Sequence, residues 1–344
     1  MAVAGNATAG GNAAPAARAV PGCSYRPHAT LTPGEGRPDP QRALAATGVL
    51  RVAMLFVSPG GIQPSESPAD LYAQLAPPTQ RWFQTASYRR ARLEVTPLKT
   101  WLPVADASVG AALDAAAGRI DLSRYDAVAA VLPEETHAVA SHAEIVPAAA
   151  VRYGVVLAPH PTATSERAPD LWTVLAHELG HVLGLPDLYT TAGNGADSVY
   201  AGPWDPMSSP RGQNLLAWHA WSLGWLGSSN VACVYSGTRE ATLSPIEKPG
   251  GLKALLLPQG QGVVVIEARQ KSGLDAGLCA QGILVYSVQI DAVPKAAPVR
   301  VLGKDQRPGA CGPLSNAPLK AGESLQVGTT RIDVLAGLHV RVSR

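Results

Sequence analysis

Apolar residues first gather in the run Val49-Leu50-Arg51-Val52-Ala53-Met54-Leu55-Phe56-Val57, which Ser58-Pro59-Gly60-Gly61 stops. A short apolar run closed by turn residues predicts a buried strand. Helical spacing follows from Asp70 to Ser87, and Ala91-Arg92-Leu93-Glu94-Val95-Thr96-Pro97-Leu98 alternates as a second strand does. Val109 to Ile120 predicts a helix, and Tyr125-Asp126-Ala127-Val128-Ala129-Ala130-Val131-Leu132 a central strand ended by Pro133. Tyr153-Gly154-Val155-Val156-Leu157-Ala158 predicts a further, edge strand, and Pro169-Asp170 opens another helix. Alternating strands and helices imply a sheet with helices packed on it.

From Val231 the texture changes to short apolar runs separated by Gly, Pro and Asp, such as Ala254-Leu255-Leu256-Leu257, Gly262-Val263-Val264-Val265-Ile266-Glu267 and Gly282-Ile283-Leu284-Val285-Tyr286-Ser287-Val288. This predicts a smaller β-rich, sandwich-like domain over 231–344. The expected fold class is α+β. Residues 1–47 show no apolar period and are expected to be a flexible Ala/Gly/Pro-rich leader or propeptide remnant. That leaves 48–230 as a first, larger domain, and 344 residues suit two such units.

The chemistry concentrates in His177-Glu178-Leu179-Gly180-His181. On a helix, His177 and His181 lie one turn apart on the same face, able to grip one zinc ion, with Glu178 placed beside a water. Gly184 can take positive φ, end the helix and turn the chain back. Asp187, six residues after His181, then returns as third ligand, with Asp197 and Asp205 as alternatives further on. Two imidazoles and a carboxylate leave a fourth position open, as a catalytic zinc site requires. The expected reaction is peptide-bond hydrolysis by zinc-activated water, with Glu178 as general base.

The segment from His177 through Gly184-Leu185-Pro186-Asp187-Leu188-Tyr189 resembles the active-site segment of the immune inhibitor A peptidases, a metzincin-like family of secreted bacterial metalloendopeptidases. Trp82-Phe83-Gln84-Thr85-Ala86-Ser87-Tyr88, Ser222-Leu223-Gly224-Trp225-Leu226, Val265-Ile266-Glu267-Ala268-Arg269 and Gly282-Ile283-Leu284-Val285-Tyr286 extend the resemblance over about residues 48–290. It implies a metzincin-like zinc peptidase domain, a mixed sheet with an active-site helix, acting on protein or peptide substrates outside the cell. It also implies that Met207, in Gly202-Pro203-Trp204-Asp205-Pro206-Met207-Ser208-Ser209, forms a methionine turn that floors the metal site without binding the ion.

Other residues weigh less. Trp218, Trp221 and Trp225 recur at helical spacing and are expected in the core, with His219 between them an ordinary exposed histidine rather than support for the metal or an oxyanion. Tyr189 and Tyr200 are candidate transition-state donors. Gly193-Asn194-Gly195-Ala196-Asp197 offers oxygen ligands without completing a calcium loop, which makes calcium a second candidate ion. Cys23, Cys233, Cys279 and Cys311 are spaced for two structural disulfides rather than a metal site. Cys279 with Cys311 and Cys23 with Cys233 is the expected pairing; a zinc-capping role for Cys23 is the rarer alternative.

The 28 basic and 26 acidic residues leave a net charge of +2, which points to neither nucleic acid nor membrane as partner. No apolar run is long enough to span a bilayer, and a monomer is expected. Met1 to Pro21 lacks the basic start and apolar stretch of a signal peptide, so secretion is inferred from the resemblance and the cysteines. Two rival functions remain: an inactive relative used for surface adhesion, and a zinc hydrolase of a non-protein amide or ester.

Overall fold

Five strands begin the structure as one mixed sheet. The computed structural model describes residues 38–136, 139–146, 149–158, 170–189, 200–260, 262–290, 297–303 and 312–344. The sheet has the order β2-β1-β3-β5-β4, built from β1 (Gly48–Pro59), β2 (Ala91–Val104), β3 (Ala127–Val131), β4 (His142–Ile145) and β5 (Tyr153–Leu157). β1 pairs parallel with β2 and β3, and β3 parallel with β5, while β4 runs antiparallel along β5. The strand expected at the edge is therefore interior. The true edge is β4, too short and too polar to announce itself by alternation. β2 continues past Pro97, with a register shift opposite Met54 and Phe56; an outer strand tolerates a residue without an N–H.

Helices cover both faces of this sheet. α1 (Pro68–Ala86) starts at Ser67, whose side chain accepts the Asp70 N–H, with a proline at its first position. Leu71, Leu75, Trp82 and Phe83 of α1 share one core with Met54, Phe56, Ala129 and Val155 from the sheet. α2 (Val109–Ala116) packs on the other face with Ala53, Leu55, Val128 and Val156, and stops four residues short of the expected Ile120, with Gly118 at φ 74° just beyond. α3 (Leu171–Val182) carries the His-Glu-His segment and buries Leu175, Leu179 and Val182 in the α1 core.

After the short α4 (Ala217–Ser222), β-structure takes over. One sheet has the order β11-β10-β9-β8-β6 and another β12-β13-β14-β7, comprising β6 (Val231–Cys233), β7 (Thr238–Thr242), β8 (Ala254–Gln259), β9 (Gly262–Arg269), β10 (Gly282–Gln289), β11 (Val299–Leu302), β12 (Ser324–Val327), β13 (Thr330–Val334) and β14 (His339–Ser343). Leu255, Ile266, Ile283, Ile332 and Val342 fill the space between these two sheets, as a sandwich requires. The opposite face of the larger sheet, with Leu256, Val265, Leu284 and Tyr286, belongs to the same core as α1 and α3. The molecule is thus α+β, and the residue 230/231 boundary is bridged by continuous packing.

Residues 38–47 are part of this packing, unlike the flexible leader expected there. Ala43 is buried, the Leu44 N–H donates to the Val182 carbonyl at 3.0 Å, and the Trp225 indole donates to the Ala46 carbonyl at 2.7 Å. A segment without apolar period can still dock where a helix end leaves carbonyls unsatisfied. No helix among the described residues is long and apolar enough to cross a membrane.

Candidate metal centre

His177, Glu178 and His181 occupy the second half of α3, and their ligand-capable atoms all lie within 4.8 Å of one another. The helix ends immediately after them. The Leu185 N–H donates to the Gly180 carbonyl at 3.0 Å and the Gly184 N–H to the His181 carbonyl at 2.9 Å, with Gly184 at φ 95°. This pair of bonds reverses the chain through a left-handed residue, and a Cβ on Gly184 would lie 2.7 Å from Pro38 Cβ. The reversal brings Asp187 back over the histidines: its Oδ1 is 3.2 Å from Nε2 of both His177 and His181.

Each imidazole is held from behind. His177 Nδ1 lies 2.9 Å from the Pro206 carbonyl and His181 Nδ1 2.8 Å from the Leu185 carbonyl. A carbonyl can only accept, so Nδ1 carries a proton in both rings, and it is Nε2 that faces Asp187 and would be freed to ligate when its proton is displaced. The rings stand edge to face, centroids 4.8 Å apart. Among the described residues, Asp187 Oδ1 makes no hydrogen bond of acceptable geometry despite its closeness to both nitrogens, and Glu178 Oε2 is buried without a partner. Buried oxygens left unpaired at a cluster of ring nitrogens are unfavourable alone, and a cation shared with those nitrogens would satisfy them.

The electrostatics follow from this crowding. Burial pushes the His177 imidazole down, but the Asp187 and Glu178 carboxylates outweigh it and hold the group up at about 9. Burial would raise Asp187 too, yet the two imidazoles keep its carboxyl well below the usual carboxylate range. Burial dominates at Glu178 and raises it, against the lowering pull of His177 and His181.

Met207 is buried against α3: a Cβ on Gly180 would come within 2.7 Å of its sulfur. Its carbonyl accepts the Leu188 N–H at 3.0 Å, beside Asp187. Asp205, weighed above as a substitute ligand, is fully buried and engaged elsewhere, accepting from the Met207 N–H at 2.8 Å, the Leu216 N–H at 2.7 Å and His219 Nδ1 at 2.9 Å. His219 is correspondingly 1% exposed, contrary to the exposed position expected, because α4 is buried on every side. Trp218, Trp221 and Trp225 are core residues, as their spacing implies.

The Tyr189 ring lies nearly parallel to His177 at 6.3 Å, and Tyr200 packs under the Arg300 guanidinium. The segment Gly193 to Asp197, with the calcium expectation and the Asp197 alternative, lies outside the described residues, as do Cys23 and Cys311. Cys233 and Cys279 are each disulfide-bonded.

Sequence reasoning missed a buried network contributed by β9 and β10. Arg269 donates to Asp275 Oδ2 at 2.7 Å, to Glu267 Oε1 at 3.1 Å and to the Trp204 carbonyl at 2.9 Å. Glu267 Oε2 accepts from the Ala217 N–H at 2.6 Å and the Tyr286 hydroxyl at 2.7 Å. Glu267 and Arg269, two apart on one face of an apolar strand, were the available signal, since charges there must be paired. In comparison with known proteins, no family model matches the chain and no curated protein matches its sequence.

Proposed function

We propose that the chain is a zinc-dependent endopeptidase with a metzincin-like catalytic domain, in which His177, His181 and Asp187 hold the ion and Glu178 is the general base. The observation that carries this reading is the meeting of two Nε2 atoms and Asp187 Oδ1, with Glu178 Oε2 buried beside them and without a partner among the described residues. Two nitrogens and one carboxylate oxygen suit zinc and leave one tetrahedral position for solvent or substrate. When bound, zinc supplies a Lewis acid that polarises a peptide carbonyl and acidifies water.

The protein groups divide the remaining work. The Pro206 and Leu185 carbonyls keep the Nδ1 protons of His177 and His181 occupied, so neither ring takes part in proton transfer. Glu178, held by α3 with its carboxyl raised by burial, takes the proton of the attacking water and delivers it to the leaving amine. Export to an oxidising compartment is part of the same proposal, supported by the disulfide-bonded Cys233 and Cys279.

The test is cleavage of unfolded casein by purified zinc-loaded protein, beside Glu178→Ala and a chelator-treated sample. Glu178→Ala is expected to keep one zinc and lose about 10²–10⁴-fold in rate, and chelation to abolish cleavage. Zinc-loaded protein that leaves casein and a peptide panel intact would sink the endopeptidase reading; turnover of non-protein amides or esters alone would reassign the substrate class.

A further inference from the structure

The metal site hangs on one tight turn. The Pro206 carbonyl fixes the His177 ring, the Met207 carbonyl accepts from Leu188 next to Asp187, and the Met207 side chain fills the space under Gly180. Three independent determinants of the ligand geometry therefore come from two consecutive residues that bind no metal. What holds the turn itself is the carboxylate of Asp205. Its Oδ1 accepts the Met207 N–H, two residues on, which sets the direction of the intervening Pro206 carbonyl. Its Oδ2 accepts from Leu216 and from His219 Nδ1, which tie the turn to the start and the body of α4. The Asp205 carbonyl accepts the Ser208 and Ser209 N–H groups at 3.0 and 3.1 Å, closing the turn from its other side.

The support continues away from the metal. The Ala217 N–H that follows Leu216 is held by Glu267, and Arg269 holds the Trp204 carbonyl that precedes Asp205. Asp205 thus stands where the larger C-terminal sheet and α4 meet the turn that orients His177. We infer that Asp205, with His219 as its partner, is a positioning residue for the metal centre, acting through the Pro206 and Met207 carbonyls on His177 and Asp187. The inference rests on the zinc reading given above and adds a residue pair to it.

Zinc affinity measured by chelator competition, together with the visible spectrum of cobalt(II)-loaded protein, tests this without reference to turnover. Asp205→Asn replaces an acceptor by an amide N–H facing donors, and is expected to weaken zinc binding about 10–100-fold and to shift the cobalt bands. His219→Phe keeps the ring's bulk and removes its donor, and is expected to lose roughly several-fold in affinity with a smaller spectral change. Ile332→Ala, in the separate core between the two C-terminal sheets, is expected to lower Tm while zinc affinity and the cobalt spectrum stay those of the wild type. Folded Asp205→Asn with wild-type affinity and spectrum overturns the inference; should that variant not fold, His219→Phe decides by the same criterion. Wild-type protein that binds no zinc would instead overturn the metal reading itself.

Discussion

Asp187 and Glu178 are both buried carboxylates near the same two imidazoles, yet their environments drive them apart: Asp187 is held ionised by His177 and His181, while burial makes Glu178 a better proton acceptor. That difference suits Asp187 to the ligand role and Glu178 to the base role proposed for them. Asp187→Asn is therefore expected to cost at least about tenfold in zinc affinity, measured by chelator competition, because a neutral amide oxygen replaces the carboxylate proposed as third ligand. Glu178→Gln is expected to bind zinc as tightly as the wild type and to be inactive; loss of zinc in that variant would mean that Glu178 is itself a ligand. The residue types and spacing of this set were readable in the chain. The acceptors behind the rings were not, because backbone carbonyls have no signature in sequence.

Among the elements, the end of α3 matters most to the site. Gly184 stands at φ 95° with Pro38 and Ala43 against the place a Cβ would take, so Gly184→Ala combines backbone strain with overlap. A destabilisation of about 1–3 kcal/mol is expected, read as a lowered denaturation midpoint, with zinc affinity lowered as Asp187 is displaced. The helix and its terminating glycine were legible, since both follow from local rules. The docking of residues 38–47 on that helix end, and the edge strand β4, were not. Both are short polar segments whose conformation is set by partners distant in sequence.

At the scale of the whole molecule, the larger C-terminal sheet serves two cores and carries the Glu267–Arg269–Asp275 network that grips the chain around Trp204 and α4. Residues 48–230 produced alone would expose the apolar face that meets Leu256, Leu284 and Tyr286, and are expected to give no cooperative thermal transition by circular dichroism. Arg269→Met leaves buried carboxylates uncompensated and is expected to cost about 3–5 kcal/mol in chemical denaturation.

The same network makes stability depend on pH. Burial pushes Glu247 up to about 8, assisted by the Asp275 carboxylate and opposed by Arg269, whose guanidinium lies 3.6 Å away. A carboxyl raised in the folded state binds its proton more tightly there than when unfolded. Its contribution is fully present below the ordinary glutamate value and is lost as pH rises towards 8. Glu247→Gln, which keeps the neutral form's shape, should flatten the decline in stability across that interval; an unchanged slope between the two proteins would contradict the assignment.

By itself the sequence determined the α+β class, the principal strands and helices, and the placing of His177, Glu178 and His181 on a helix that ends at Gly184, because apolar period, helix spacing and left-handed glycine are local consequences of residue type. Tertiary structure alone decided that β5 is interior, that His219 is buried against Asp205, and that the β-rich half shares a core with the helix bearing the site. Those facts depend on which buried groups find partners across the fold, and such pairings join residues from about ten to more than a hundred positions apart that no local pattern relates.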